Sequence, residues 1–205
     1  MKRLKTILLY SLLPLTVFAQ NSGLSANDVL RQFLSKIDGE TLSSAFTLTV
    51  SQDATQPLSY TGNLKMRGNN FRLSMLGNEG AFDGKTYYLY SEETNELTLT
   101  TPTPQELLEA NPILFARELY RRSTARFSAA NKDAKRYVIE LVPNNQNAGI
   151  RKFVIKLLKN GYVPEEITVK EDAQTTVLRF SEAVYSSQIP SFVISKPGAF
   201  VNDLR

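Results

Sequence analysis

Residues 58–100, LSYTGNLKMRGNNFRLSMLGNEGAFDGKTYYLYSEETNELTLT, decide the fold. Apolar side chains recur at every second position within each run, and turn-forming residues at Gly68, Gly77 and Gly84 separate the runs. A period of two indicates strands that are buried on one face, and glycine beside asparagine or aspartate is typical of hairpin turns. The stretch therefore predicts an antiparallel meander with one apolar face.

The same alternation continues on both sides of the meander. It starts at Phe46 and returns between residues 137 and 194, which predicts ten to twelve strands in all. Ser25 begins a capping box for an N-terminal helix, and residues 101–123 form a helical insertion. The fold class is mainly β, with some α. Because so many strands must curl or split, periodicity allows either a sandwich or a half-closed barrel with helices over its mouth.

The N-terminus predicts export. Three basic residues lie within the first five positions, and an apolar run of 12 residues ends at Phe18. That run is too short to span a bilayer, and small residues around Ala19 fit a cleavage site. We expect residues 1–19 to be a cleaved signal peptide and residues 20–205 to be a single periplasmic domain.

Charge and composition exclude several function classes. The full chain has 24 basic and 20 acidic residues, and residues 1–19 contain three of the basic ones and no acidic one. The mature chain therefore has 21 basic and 20 acidic residues, a net charge of +1, which argues against nucleic-acid binding. Histidine and cysteine are absent, which excludes catalytic triads that need histidine and nearly all kinds of zinc site. We expect no catalytic activity, no metal and no cofactor.

Two acidic pairs do not change this expectation. Glu165–Glu166 and Glu171–Asp172 bring carboxylates together in sequence. Adjacent residues of a strand point to opposite faces, so neither pair makes a convincing acid–base site. A hydrolase that uses carboxylates or tyrosine therefore has no sequence feature in its favour.

Two motifs carry a resemblance to a known family. LKMRGNNFR at residues 64–72 and FDGKTYYLY at residues 82–90 resemble the outer-membrane lipoprotein carrier family LolA, and the order of predicted elements is also similar. The sequence departs from the family at Gly68, where proline is common, and at Tyr87–Tyr88, where tryptophan is common. The resemblance implies a strongly curved, half-closed β-barrel with a helical lid over an apolar cavity.

The resemblance also implies a function and partners. The cavity would bind the acyl chains of lipoproteins and move them from the inner to the outer membrane. The partners would be an inner-membrane lipoprotein-releasing ABC transporter and an outer-membrane acceptor, and the carrier would be a monomer. The alternative is a periplasmic sensor or protein-binding module that uses the same curved sheet.

Family resemblance gives two residues specific roles. Arg67 would hold the lid through carbonyl groups of the helices between Pro104 and Tyr120, and Phe71 would lie at the cavity mouth. The apolar pattern supplies further cavity candidates: Phe33, Phe46, Leu48, Met66, Leu73, Met75, Tyr87, Leu89, Leu107, Leu108, Leu114 and Phe115. Ordinary core packing explains the same pattern, and Arg67 could equally be a solvated turn residue.

Two further clusters also have two interpretations. Tyr87, Tyr88 and Tyr90 could form an interfacial patch or simply pack within a strand. The second cluster consists of Arg117, Arg121 and Arg122. These arginines could bind an acidic partner or lipid headgroups, or form a solvated helix end that the helix dipole favours.

Overall fold

The computed structural model describes residues 23–52, 55–144 and 149–205, which form twelve strands and three helices. The expected signal peptide lies outside these residues. The helices are α1 (Ala26–Gly39), α2 (Pro104–Ala110) and α3 (Pro112–Arg121). The strands before the helical insertion are β1 (Thr41–Gln52), β2 (Leu58–Arg67), β3 (Asn70–Met75), β4 (Asn78–Phe82), β5 (Tyr87–Ser91) and β6 (Glu96–Thr100). Those after it are β7 (Ser123–Phe127), β8 (Arg136–Pro143), β9 (Ile150–Leu158), β10 (Pro164–Glu171), β11 (Gln174–Ser186) and β12 (Phe200–Asp203).

The described strands make one continuous sheet, in the order β12-β6-β5-β4-β3-β2-β1-β11-β10-β9-β8-β7. Every neighbouring pair is antiparallel except β12 and β6, which run parallel. A single sheet excludes the sandwich that periodicity alone allowed. None of the helices that the structure describes is long and apolar enough to cross a membrane.

The contacts of α1 show that the sheet is curved. This helix packs against β1 and β2 in the middle of the sheet and also against β7 at its edge. In a flat sheet β2 and β7 would lie roughly 29 Å apart, because they are six strand spacings apart. The 14 residues of α1 span only about 21 Å. The sheet therefore curls around the helix and forms a half-closed barrel, whose inner surface we call the concave face.

Helix α1 is built to fill this concave face. Its buried residues recur at helical spacing and include Phe33 and Ile37, each fully inaccessible to solvent. The predicted capping box is present, since Asp28 N–H donates to Ser25 Oγ over 3.1 Å and Ser25 N–H donates back to the Asp28 carboxylate over 3.0 Å. Hydrogen bonds from Ser25 and Arg31 lower the pKa of Asp28 to about 2.

A second, smaller apolar cluster lies on the opposite, convex face. Sequence alternation places Leu97 and Leu99 with the residues of the single apolar face, but the structure places them in this separate cluster with Tyr88. The segment after β11, residues 187–199, covers the cluster with the buried side chain of Ile194. The meander is therefore buried on both faces at β4–β6, because the C-terminal segment folds back over it.

Electrostatic contacts fasten this C-terminal segment. Lys196 Nζ lies 3.0 Å from Glu79 Oε2 and 4.5 Å from the centre of the Tyr90 ring, and Arg72 contacts the other oxygen of Glu79. Burial favours the neutral form of Glu79, but Arg72 and Lys196 outweigh it and lower the pKa of this carboxyl. The segment is thus pinned to β3–β5 before β12 joins the edge of the sheet.

Candidate functional site

An apolar cavity of about 150 Å³ lies on the concave face between β3–β5 and the end of α2. None of the described residues that line it is charged. Burial raises the pKa of the Tyr87 hydroxyl above its usual range, so this group also stays neutral. The lining residues are Phe71, Leu73, Met75, Leu76, Asn78, Gly80, Tyr87, Leu89 and Ala110.

Gly80 makes room for the Tyr87 ring at the edge of this cavity. A β-carbon at this position would lie 2.9 Å from the Tyr87 hydroxyl oxygen, closer than van der Waals contact allows. The neighbouring strands pair Leu73 with Gly80 and Gly80 with Leu89, so the glycine lies between two apolar side chains. The missing side chain therefore lets the Tyr87 ring lie over the strand between these two leucines.

Helix α2 covers the cavity with no fully buried residue, and only its half-buried Leu107, Leu108 and Ala110 pack against the core. All seven of its residues are described, and none is buried. A capping box of Thr103 and Glu106 and a proline at its first turn make the helix locally stable. The helix packs mainly against α3, which buries Ile113, Leu114, Ala116 and Leu119. We call α2 and α3 the lid, of which α2 is the loosely held part.

Two exposed leucines mark the mouth of the cavity. Leu76 is 65% exposed at the tip of the β3–β4 hairpin, and Leu89 is 45% exposed on β5. Leu76 has a φ of 55° and Gly77 a φ of 72°, which is the backbone of a type I′ turn. That turn prefers Asn-Gly, and a left-handed leucine costs about 1–2 kcal/mol. A strained, exposed apolar residue beside an apolar cavity suggests selection for function.

Two other openings border the site. A cavity of about 200 Å³ lies beneath the lid, where Leu107, Leu108 and Leu114 meet Asn69 and the charged residues Arg117, Glu118 and Arg121. The larger groove, about 700 Å³, has a mainly polar lining that includes Ser74 and Glu79. Its polar lining makes this groove a poorer place for an acyl chain than the uncharged 150 Å³ cavity. No group of three or more side chains that could hold a metal ion occurs within the described residues.

The predicted cavity residues all belong to the concave side, but they divide into three groups. Four line the 150 Å³ cavity: Leu73, Met75, Tyr87 and Leu89. Leu107, Leu108 and Leu114 line the cavity beneath the lid. The rest pack in the core: Phe33, Phe46 and Met66 are buried there, while Leu48 and Phe115 are half-buried against it.

Phe71 lies deeper than its predicted place at the mouth. Only 1% of its surface is exposed, and its ring packs 6.4 Å from that of Phe82 and 6.2 Å from that of Tyr87. It therefore forms the floor of the cavity. The mouth is formed instead by Leu76 and Leu89, because β3 runs from the buried end of the cavity at Phe71 towards the hairpin tip.

Arg67 does not contact the lid helices as predicted. Its Nη1 donates to the Ser187 carbonyl, just after the end of β11, over 3.1 Å. Arg117 of α3 makes the lid contact instead. Its guanidinium donates to Asp38 of α1 over 2.7 Å and to Asn69 of the β2–β3 turn over 2.9 Å. Arg117 thus joins the lid to two fixed parts of the fold, whereas Arg121 and Arg122 remain exposed and contact Glu118.

We expect Arg117→Met to loosen the lid and Arg67→Met to leave it unchanged. The loss of the Asp38 and Asn69 contacts should cost about 1 kcal/mol, because Asp38 is more than half exposed. Amide hydrogen exchange of residues 104–121 should accelerate about fivefold in the Arg117 variant. Equal acceleration in the Arg67 variant would show that the lid depends on Arg67 after all.

Sequence reasoning missed Leu76, Gly80 and Ala110. The alternation places Leu76 in a turn and Gly80 in a strand without a functional role, and Ala110 is too small to stand out. One signal is present in the sequence: Leu-Gly occupies a two-residue hairpin where Asn-Gly is expected, so a large apolar residue lies at an unfavourable position.

The comparison with protein-family models decides the family. The model described as outer membrane lipoprotein carrier protein LolA matches residues 15–173, more than half of the chain. The chain belongs to the LolA family. The match extends from before α1 to the end of β10, so β11, the C-terminal segment and β12 lie beyond it. No curated protein sequence matches this LolA family member significantly.

One solved structure superposes well enough to support the overall fold, and two others are similar at lower scores. An uncharacterized conserved protein from Thermus thermophilus superposes with a TM-score of 0.53 at 13% identity, over 87% of this chain and 98% of that one. A LolA superfamily protein from Nitrosomonas europaea gives a TM-score of 0.40 at 10% identity, covering 78% and 93% of the two chains. LprF from Mycobacterium bovis gives 0.43 at 12%, covering 82% and 96%. At these identities the likeness concerns the fold alone.

Proposed function

We propose that this protein is a non-enzymatic periplasmic carrier that binds the acyl chains of lipoproteins on its concave face, under α2. The observation that carries the proposal is an uncharged cavity covered by a helix with no buried residue and bordered by exposed leucines. A helix held so weakly can move away from the sheet at small cost. Membership of a family described as a lipoprotein carrier supports the same function.

Cavity size requires this movement. An apolar space of about 150 Å³ holds a molecule the size of benzene, and drug-sized ligands need about 300–1,000 Å³. The cavity opens to solvent at Leu76 and Leu89, and at its present size it must widen to accept an acyl chain. Displacing α2 would join it to the 200 Å³ cavity beneath the lid, since the helix contributes lining residues to both.

The energetics suit transfer between membranes. Burying methylene groups yields roughly 0.8 kcal/mol each, so an acyl chain cannot cross the aqueous periplasm unshielded. Displacement of α2 from the sheet opposes binding and so favours release, while the Arg117 contacts keep α3 in place. We propose that an inner-membrane lipoprotein-releasing ABC transporter loads the carrier and that an outer-membrane acceptor takes its cargo. Residues 1–19 would direct export of the chain, and their cleavage would release it into the periplasm.

Leu76→Asn provides a test, because it should stabilise the fold and weaken function. Asn fits the left-handed position, so the free energy of unfolding should rise by about 1 kcal/mol. Loss of the apolar side chain at the mouth should weaken binding of a fluorescent dipalmitoyl lipopeptide roughly threefold to tenfold. Denaturant unfolding and fluorescence anisotropy measure the two effects.

Leu204→Asn is the matched control. Leu204 is 62% exposed, close to the value for Leu76, but it lies beyond β12 and lines neither the 150 Å³ nor the 200 Å³ cavity. Its substitution should leave lipopeptide affinity unchanged. If Leu76→Asn binds the lipopeptide as tightly as the parent, Leu76 is not part of the path that acyl chains follow.

One observation favours the alternative of a protein-binding module. Strand β12 forms an edge of the sheet, and its Phe200 and Val201 are 70% and 54% exposed. A free edge with apolar side chains can accept an added strand from a partner. Phe200→Glu separates the two functions, since it should abolish such pairing and leave lipopeptide binding intact.

A further inference from the structure

Three exposed lysines gather at one end of the barrel, away from the cavity. Lys132 and Lys135 lie in the loop between β7 and β8, and Lys159 lies in the turn between β9 and β10. The two segments touch, because Lys159 N–H donates to the Lys135 carbonyl over 2.9 Å. We call Lys132, Lys135 and Lys159 the lysine patch.

The loop that carries two of these lysines is ordered by its own hydrogen bonds. Ser128 N–H donates to the Val138 carbonyl over 2.9 Å, and Val138 N–H donates to Asn131 Oδ1 over 2.8 Å. Lys135 N–H donates to Asp133 Oδ1 over 2.7 Å. The lysines are therefore presented at defined positions on the surface.

Aromatic rings lie beneath the lysine patch. Phe127 stacks on Tyr137 at 5.9 Å, and Tyr137 stacks on Tyr162 at 6.2 Å with an interplanar angle of 10°. Lys159 Nζ lies 5.3 Å from the centre of the Tyr137 ring. All three rings are half-buried against the core, and the stack reaches the lysine patch through the contact of Tyr137 with Lys159.

The nearby carboxylates do not neutralise these lysines. Arg136 binds Asp133 over 2.7 Å and Glu165 over 2.6 and 3.1 Å, so both acids are occupied by an arginine. None of the three lysines forms an ion pair with another described residue. Counting Arg136 and its two acids, the region carries a net charge of +2, although the expected mature chain carries only +1 in total.

The other end of the strands is mixed in charge, since exposed Lys152 and Lys170 lie there with two exposed glutamates. Glu92 and Glu93 lie in the exposed turn between β5 and β6, and neither pairs with a cation among the residues that the structure describes. Lys85, in the turn at the opposite end of β5, lies at the same end of the barrel as the lysine patch.

We propose that the lysine patch docks this protein on an anionic phospholipid surface. Lysines gain about 1 kcal/mol each near such a surface, and tyrosine rings favour the headgroup region of a bilayer. Unpaired lysines beside stacked, half-buried rings fit a lipid surface better than an acidic protein. The lysines would contact anionic headgroups, and the tyrosine rings would lie at the level of those headgroups. Docking goes beyond the proposed acyl-chain binding and does not depend on it.

Vesicle binding tests this proposal without any lipoprotein. The purified protein should co-sediment with vesicles of phosphatidylcholine and phosphatidylglycerol in equal parts, at about 0.1 M salt, and dissociate at about 1 M, where screening is strong. Pure phosphatidylcholine vesicles should not bind it. Replacing Lys132, Lys135 and Lys159 together by glutamine should weaken binding about fivefold per lysine, on the order of 100-fold in total.

A second triple variant is the control for net charge. Lys65, Lys152 and Lys170 are exposed on the convex side of β2, β9 and β10, away from the lysine patch, and Lys152 pairs with Glu140 over 3.4 Å. Their replacement by glutamine changes the net charge equally and should leave most of the vesicle binding. Equal losses in the two triple variants, or no binding of the parent to anionic vesicles, would overturn the proposal. Unchanged circular dichroism of each variant excludes unfolding as the cause.

Discussion

Replacing Ala110 by tryptophan should abolish binding of a dipalmitoyl lipopeptide. Ala110 ends α2 and lines the cavity with Leu73, Met75 and Leu89. An indole at this position fills most of a space of about 150 Å³, leaving no volume that an acyl chain can enlarge. We expect affinity to fall by at least about tenfold (about 1.4 kcal/mol), with a small change in stability because α2 is not buried.

Glu109→Trp is the matched control for this experiment. Glu109 precedes Ala110 in the same helix, but its side chain is exposed. The control adds the same bulk to α2 and should retain the affinity of the parent. Retained affinity in the Ala110 variant, with an unchanged fold, would mean that acyl chains do not occupy the space under α2.

Replacing Phe71 by alanine should destabilise the fold by about 3–5 kcal/mol. The ring is 1% exposed and packs between Phe82 and Tyr87, so truncation leaves a large void beneath the existing cavity. Phe71→Glu should be worse, since its carboxylate would be buried without a partner. A loss of lipid binding in either variant would therefore report unfolding and not the removal of a contact.

Equilibrium denaturation by urea measures this effect, with Phe200→Ala as its control. Phe200 is 70% exposed on β12, so its truncation should change the free energy of unfolding by less than about 0.5 kcal/mol. Phe71→Leu keeps most of the packing and allows the role of Phe71 in binding to be measured. If Phe71→Ala lowers the free energy of unfolding by less than about 1 kcal/mol, Phe71 does not lie in a tightly packed floor.

The sequence predicted the architecture well, because alternation and turns are local signals. The capping box at Ser25, the hairpin glycines and the helical insertion all occur where the pattern indicates. The number of strands also agrees. Curvature did not follow from alternation, since it depends on α1 packing against both the centre and the edge of the sheet.

The site could be predicted only in part, because its details depend on contacts that are distant in sequence. Arg67 meets Ser187, 120 residues away, and this partner could not be recognised from a turn motif. Tyr87 and Tyr88 point to opposite faces, as neighbours in a strand do. That Tyr88 is buried on the convex face follows only from the C-terminal segment, whose Ile194 belongs to the same cluster. The contacts of Arg117 with Asn69 and Asp38 also join residues far apart in sequence, at separations of 48 and 79, so no local motif indicates them.

Photocrosslinking tests the central claim most directly. A dipalmitoyl lipopeptide with a diazirine at the end of one acyl chain is bound, irradiated and mapped by peptide mass spectrometry. We predict crosslinks to β3, β5 and α2, around Leu73, Met75, Leu89 and Ala110, and their loss when excess unlabelled lipopeptide is present. Crosslinks confined to β12 or to the convex face would contradict binding of acyl chains under the lid.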